Sequence, residues 1–400
     1  MRTNAASLPA AALLLVFAAG PRAARAEETA PPDPAHALER GVRWLQARAM
    51  DGIWFMDVGD QKVPSPGFTA VALAPVAASL PKEKRRDDPA IRKSVAFLLS
   101  LQQPDGRLSA PGLEGYENYV TSATLMALAI IDDPSHAGAR AKMRDYVLSI
   151  QRRDEGRHEG GFGYNKQQGA DLSNAQYAIE ALRAAGIPED HEAMIAARKY
   201  LSRLQNRSEN ADNDGAKWVV DHEGYGKVTV VPGNDGSAGY EPGVSKAGLV
   251  KLPDGTFVAR GYGSMTYALL KCYLLAGVKG DDPRVKAALD WLGKHYQWEK
   301  NPGFEDLAKE DPKRKDAPYF GLYYYYMTAA KALALAGVDK LETPDGPRDW
   351  RADLGKTIAA LQREDGSWVN GKSPRWEEDD PVLVTAYATH ALQAILGVAK

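Results

Sequence analysis

Two kinds of apolar segment alternate along the chain. The first kind carries charge on one face and apolar residues on the other, and ends in Leu-Gln or a close variant: "ALERGVRWLQ", "IRKSVAFLLSLQQ", "MRDYVLSIQR", "ARKYLSRLQN", "VKAALDWLGKHYQ" and "LGKTIAALQR". This spacing predicts amphipathic helices that cover a core from outside. The second kind is nearly uncharged and rich in Ala: "FTAVALAPVAASL", "YVTSATLMALAII", "LSNAQYAIEALRAAG", "YGSMTYALLKCYLLAG", "YYYYMTAAKALALAG" and "VLVTAYATHALQAIL". Such helices can be enclosed on most sides. Between the two lies a Gly- and aromatic-rich turn: "DGIWF", "PDGRLSAPGLEGY", "GGFGY", "DNDGAKW", "NPGF" and "EDGSW".

The unit therefore recurs about six times, which makes this a repeat architecture. Helix pairs that cannot bury their apolar faces alone do so by stacking on their neighbours. Six pairs of alternating outer and inner helices predict an all-α fold, an (α/α)6 toroid; an open solenoid is the competing arrangement. The turn glycines supply positive φ, and the ring behind each packs between successive pairs.

Between the fourth outer and inner helices lies an insertion, 206–261, rich in Gly, Asp and Val. Within it "VKLPDGTFVAR" places Asp254-Gly255 between two alternating runs and reads as a small β-hairpin. The insertion enters the inner helix from the side of the aromatic turns, which predicts a lid or rim across the mouth of the toroid, where loops set specificity. It opens on "NADNDGAKWVVD", in which Asn210, Asp212, Asp214 and Asp221 fall at positions of a calcium-loop pattern, with Asn at the first and Asp rather than Glu at the last. A polar Gly turn is the simpler use of the same residues.

The N-terminal stretch has Arg2, a short apolar run and Ala24-Arg25-Ala26 before Glu27. It reads as a signal peptide over 1–26, cleaved after Ala26, with residues 27–36 a Pro-rich lead-in and 37–400 the toroid. The mature protein is then expected to be secreted or periplasmic, with no integral membrane segment after cleavage. A formal net charge of -2 gives no support for a nucleic-acid partner. Cys272 is the single cysteine and sits in an apolar helix, so no intramolecular disulfide forms and the thiol reads as a small core side chain. No G-x-S-x-G frame, H-E-x-x-H or paired Cys/His spacing occurs, and neither a cofactor nor an oligomer is expected.

The turns in "LQREDGSW" and "LQQPDGRL", with the runs "GGFGYNKQQGADLSNAQYAIEAL" and "ARGYGSMTYALLKCYLLAGV", resemble the repeats shared by squalene-hopene cyclases and protein prenyltransferase β-subunits, and bacterial exported proteins carrying the prenyltransferase/squalene-oxidase repeat. The resemblance covers nearly the whole mature chain and implies the toroid fold. For the prenyltransferases it would imply a zinc ion held by Asp, Cys and His at the mouth. The matching segments, 259–267 and 316–333, contain Asp316 but no Cys and no His, and Cys272 lies about three turns into its helix. A zinc-dependent prenyltransferase is disfavoured.

For the cyclases the resemblance implies an acid in a D-x-D-D segment ahead of an inner helix, the central Asp protonating an alkene. Glu377-Glu378-Asp379-Asp380 resembles that motif in placement, with Glu at its first position and Pro381 after it. This would make Asp379 the proton donor, with Glu377 and Asp380 beside it, and the rings of Tyr119, Tyr164, Tyr262, Tyr323, Tyr324 and Trp376 would line a cavity for an apolar small molecule or lipid. Four consecutive Tyr cannot all face one way on a helix, so at most two of 323–326 line it. Asp-Asp-Pro also occurs at 87–89, 132–134 and 281–283, where Asp caps and Pro opens a helix. Asp380 reads as such a cap, and the crowding of Glu377, Glu378 and Asp379 is more than a cap needs. The expected function is an exported terpene-cyclase- or prenyltransferase-like protein acting on an isoprenoid or other apolar ligand. A non-catalytic toroid binding a lipid, glycan or protein at its mouth is the alternative.

Overall fold

A computed structural model describes residues 33–110 and 114–398. The expected signal peptide and most of the lead-in lie outside the described residues. Chain order gives helix pairs α1 (Pro34–Arg48) with α2 (Pro66–Ala78), α3 (Pro89–Ser100) with α4 (Glu117–Ile131), and α5 (Ala137–Ser149) with α6 (Leu172–Ala184). They continue as α7 (Glu192–Leu204) with α8 (Gly263–Leu275), α9 (Pro283–Lys294), the short α10 (Glu305–Glu310) and α11 (Leu322–Ala336), and α12 (Trp350–Ala360) with α13 (Pro381–Leu396). Helix α1 starts within the stretch expected as lead-in, because Asp33 caps it through Ala35 N.

The inner helices α2, α4, α6, α8, α11 and α13 pack in sequence, and α13 returns to α2, so the ring is closed and the fold is the (α/α)6 toroid. Outer helices lie against this ring, α1 on α13 and α2, α5 on α4 and α6. Their Leu-Gln ends stitch neighbouring repeats together. Gln151 Nε2 donates to Gly160 O (2.9 Å) in its own turn and to Ala193 O (2.8 Å) at the start of the next outer helix. Gln205 does the same to Gly236 O and Arg284 O, and Gln362 to Gly366 O and Ala37 O. This last pair joins the sixth repeat to the first, which an open solenoid could not do.

The repeated tripeptide behaves uniformly. Asp88, Asp133, Asp282 and Asp380 each accept a hydrogen bond from the backbone N–H two residues on, with Pro at the first helical position.

Two features depart from the reading of the sequence. The turn of the fourth repeat is at Gly236, where Gln205 reaches it, and not at "DNDGAKW". The insertion therefore falls on both sides of the turn and hides it from a repeat search. Its β content also exceeds one hairpin. Strands β3 (Trp218–His222), β4 (Gly226–Val230), β5 (Leu249–Lys251) and β6 (Phe257–Ala259) form a four-stranded sheet in the order β3-β4-β6-β5, with β4 and β6 parallel. The expected hairpin at Asp254-Gly255 is the β5–β6 pair. A second, separate hairpin, β1 (Phe55–Val58) with β2 (Gln61–Pro64), precedes α2.

The calcium-loop reading of Asn210, Asp212, Asp214 and Asp221 is corrected. Asn210 is buried, its amide donates to Ser202 O and its oxygen accepts from Arg207 Nη1, while Asp221 lies on β3 opposite Lys227. The pattern is divided between a turn and a strand, so its oxygens do not converge.

Candidate functional site

All six inner helices present residues of their first two turns to one cavity of about 360 Å³. Phe68 and Val71 come from α2, Tyr119 from α4, Ser173 and Tyr177 from α6, Ser264 and Met265 from α8, Tyr324 from α11, and Leu383 and Tyr387 from α13. The loops ahead of these helices add Tyr116, Tyr164, Tyr240, Tyr262, Trp376, Glu377 and Glu378. The rings pack on one another, mostly edge to face: Tyr119 lies 5.0 Å from Tyr177 and 5.5 Å from Tyr164, and Tyr324 lies 6.0 Å from Tyr387. Such a wall is apolar in area and presents the negative faces of several π systems. The aromatic side chains expected from the sequence are therefore brought together, with one exception. Tyr323 points away from the cavity and packs against Tyr326, so a single member of the four-Tyr run, Tyr324, faces inward.

The four acids separate. Asp379 is exposed and does not line the cavity, which corrects the expectation that it is the acid of the site. Asp380 is the cap of α13 and is spent on Val382 N (2.7 Å) and Leu383 N. Glu377 lines the cavity on a backbone at φ 62°; loss of hydration, then the carboxylates of Asp380 and Asp379, push its pKa up. The buried acid is Glu378, which the reading of the sequence passed over. Its Oε1 accepts from Tyr323 N (2.9 Å) and Tyr324 N (2.8 Å) at the start of α11, and its Oε2 accepts from Asn370 Nδ2 (2.8 Å). Burial pushes this carboxyl up to about 7, against those donors.

This tether explains why the loop runs as it does. Trp376 and Glu377 both adopt positive φ, uncommon for residues with side chains. The backbone of Asn370 also bonds Glu378 O (2.8 Å), and the Trp376 ring sits on Gly321 and edge-on to Phe320 at 5.7 Å. The strained turn places the Trp over the mouth while burying the Glu behind it.

A second buried acid lies at the start of α6. Asp171, 2% exposed, caps the helix through Asn174 N (2.9 Å) and also accepts from Asn174 Nδ2 (2.8 Å); burial pushes it up to about 6. With it the segment reads Asp171-Leu172-Ser173-Asn174. It has the frame and helix-start position of D-x-D-D, with Ser and Asn in place of the last two Asp. Ser173 lines the cavity, and its Oγ is taken by Tyr119 OH (2.8 Å) and Tyr324 OH (2.9 Å). The segment carries a single acid, so a pattern of consecutive acids does not pick it out.

Two helical turns below the lining residues, seven positions on, each of four inner helices carries a polar group: Ser173 leads to Glu180, Ser264 to Lys271, Tyr324 to Lys331 and Leu383 to His390. Glu180 accepts from Lys271 Nζ (2.7 Å) and pairs with Lys331 Nζ (2.5 Å). Burial raises the Glu180 carboxyl, but the two ammoniums overcome this and hold it far below the usual range. His390 is pushed down to about 3 by burial and by Lys331, and bonds Val71 O (3.1 Å) as the neutral ring. This layer is a charged floor beneath the aromatic chamber. Cys272 is fully buried beside it, and burial pushes its thiol up to about 12, far from the thiolate a metal site needs. Among the described residues no group of three His, Cys, Asp or Glu is arranged to hold a metal ion, and no helix is long and apolar enough to cross a membrane.

The closed toroid of six helix pairs, with its aromatic chamber at the inner-helix N-termini, has the fold of solved type II terpene cyclases. Residues 91–205, which span α3 to α7 and include Asp171–Asn174, match the squalene-hopene cyclase N-terminal domain family. Among solved structures, the type II terpene cyclase MstE from Scytonema in complex with geranylgeranyl dihydroxybenzoate (substrate) is similar at 14% identity and a TM-score of 0.53, over 91% of this chain and 98% of that one. An MstE complex with merosterolic acid A (product) has a TM-score of 0.51 at 14% identity, covering 91% and 97%, and the apo enzyme 0.52 at 14% identity, covering 91% and 98%. No curated protein matches the sequence.

Proposed function

We propose that the protein binds an isoprenoid-class apolar ligand in the aromatic chamber, as a cyclase-like toroid in which Ser173 stands where a protonating cyclase would carry its acid. That substitution is the observation that carries the reading. Protonating an alkene needs a strong acid facing the double bond, and a serine hydroxyl held between two tyrosines is a very weak one. The ligand class follows from a chamber of aromatic faces with few polar groups, most of which are already hydrogen-bonded to one another. MstE, similar in fold, is described with a geranylgeranyl substrate, which agrees with this class.

Glu378 favours a second reading. A carboxyl poised near neutrality on the chamber wall would make acid-initiated cyclisation its task. Its oxygens, however, face Tyr323 N, Tyr324 N and Asn370, and a carboxyl raised toward 7 is a poor donor to an alkene.

Purified protein incubated with geranylgeraniol and with squalene separates the two. Under the binding reading, ligand quenches Trp376 fluorescence with micromolar affinity, is recovered unchanged by mass spectrometry, and binds on the order of ten-fold more weakly to Tyr324→Ala, which removes one aromatic wall. Cyclised product from the wild type that disappears in Glu378→Gln would establish the second reading. Neither binding nor turnover would sink both.

We also propose export, from the N-terminal pattern alone. Edman sequencing of protein recovered from the periplasm or medium is expected to start at Glu27; an intact N-terminus in the cytoplasm would contradict it.

A further inference from the structure

Lys246 is the one basic residue on the wall of the chamber among the described residues, and it comes from the insertion, not from the repeat scaffold. Its ammonium lies over the ring of Tyr240, 4.4 Å from the centroid, and Tyr240 in turn lines the chamber with its hydroxyl 3.4 Å from that of Tyr164. Three other cations are paired: Arg157, from the loop before α6, with Glu241 at 3.4 Å, and within the insertion Arg260 with Glu310 at 2.9 Å and Arg207 with Glu209. Lys246 forms no ion pair among the described residues. A solvated surface lysine needs no partner; this one is different because an aromatic face fixes its head at the rim of an apolar chamber.

The electrostatics of the mouth point the same way. Six helix N-termini converge there, each with the positive end of its dipole toward the chamber. Asp171, Glu378 and Asp380 offset this at α6, α11 and α13 by accepting from first-turn amides. No side chain caps α4, α8 or α11 from its own N-cap position, and α8 follows directly on the insertion that carries Lys246. Of the wall carboxyls, Glu378 is turned into the protein, its oxygens taken by Tyr323 N, Tyr324 N and Asn370 Nδ2.

We infer that the ligand carries an anionic head, a carboxylate or a phosphate monoester, which Lys246 binds at the rim while the isoprenoid tail fills the aromatic chamber. Lys246 thus selects among ligands of one chain length by their head group, and Tyr240 holds the ammonium in place before binding. This rests on the isoprenoid reading above and adds the head-group class to it.

The test compares three ligands of one tail, geranylgeraniol, geranylgeranoic acid and geranylgeranyl monophosphate, titrated into the full-length protein and followed by Trp fluorescence. The wild type is expected to bind at least one anion on the order of ten-fold more tightly than the alcohol, with the preference shrinking as salt is raised. Which anion is preferred distinguishes carboxylate from phosphate. Lys246→Met, which keeps the stem over Tyr240, is expected to bind all three like the alcohol, and Lys246→Arg to retain the preference. Equal binding of anion and alcohol by the wild type, or a preference that survives in Lys246→Met, would overturn the head-group assignment while leaving the isoprenoid reading intact. Failure of all three ligands to bind would remove both.

Discussion

Gly160→Ala is expected to destabilise the protein by about 3 kcal/mol or more, read as a fall in the urea midpoint at unchanged m-value. Gly160 sits at φ 80°, a conformation that costs a residue with a Cβ about 1 kcal/mol. A Cβ there would also stand 2.2 Å from Ala196 O, on the backbone of the next outer helix, where no side chain can swing away. The approach is close because Gln151 pulls the turn onto α7 through Gly160 O and Ala193 O. Relieving the clash would break the stitch between repeats. Gly186→Ala is the control: its φ is 87°, but nothing lies within 4 Å of the added Cβ, so it should cost about 1 kcal/mol. Equal effects at both sites would refute the stitching account.

Glu378→Gln is expected to reduce the pH dependence of stability. In the folded protein burial lifts this carboxyl from 4.5 to about 7. Between those values the native state holds a proton that the unfolded chain has released, so stability is highest below the unfolded pKa and falls as pH rises through the folded one. At about 1.4 kcal/mol per unit, the wild type should lose roughly 2 kcal/mol from this group between pH 5 and pH 8. Urea unfolding at the two pH values should show that much less change in Glu378→Gln. Asp171, also raised, contributes a similar fall at lower pH in both proteins and cancels in the comparison. Glu378→Ala should be worse at every pH, by about 3 kcal/mol, because the buried Tyr323 amide and the Asn370 amide lose their acceptor. A wild type and Glu378→Gln with parallel pH profiles would show that the carboxyl is more solvated than its position implies.

These two sites mark how far the sequence could be read. The repeat period, the division into outer and inner helices and the caps at Asp88, Asp133, Asp282 and Asp380 follow from local pattern: each depends on residues within a turn or two of one another. The aromatic lining was legible for the same reason, since Tyr119, Tyr262 and Tyr324 stand at the starts of inner helices. The four-stranded sheet was not, because β4 pairs with β6 in parallel across a long excursion that no turn residue announces.

The acids divide in the same way. Local chemistry determined that Asp380 caps a helix, and the toroid itself was determined by apolar faces that only stacked neighbours can bury. Which of Glu377, Glu378 and Asp379 enters the protein was decided by tertiary structure, through amides of α11 that lie 54 and 55 residues away in sequence. Burial and hydrogen-bond donors set the state of a carboxyl, and both are supplied here by the preceding repeat, whose inner helix α11 packs beside α13.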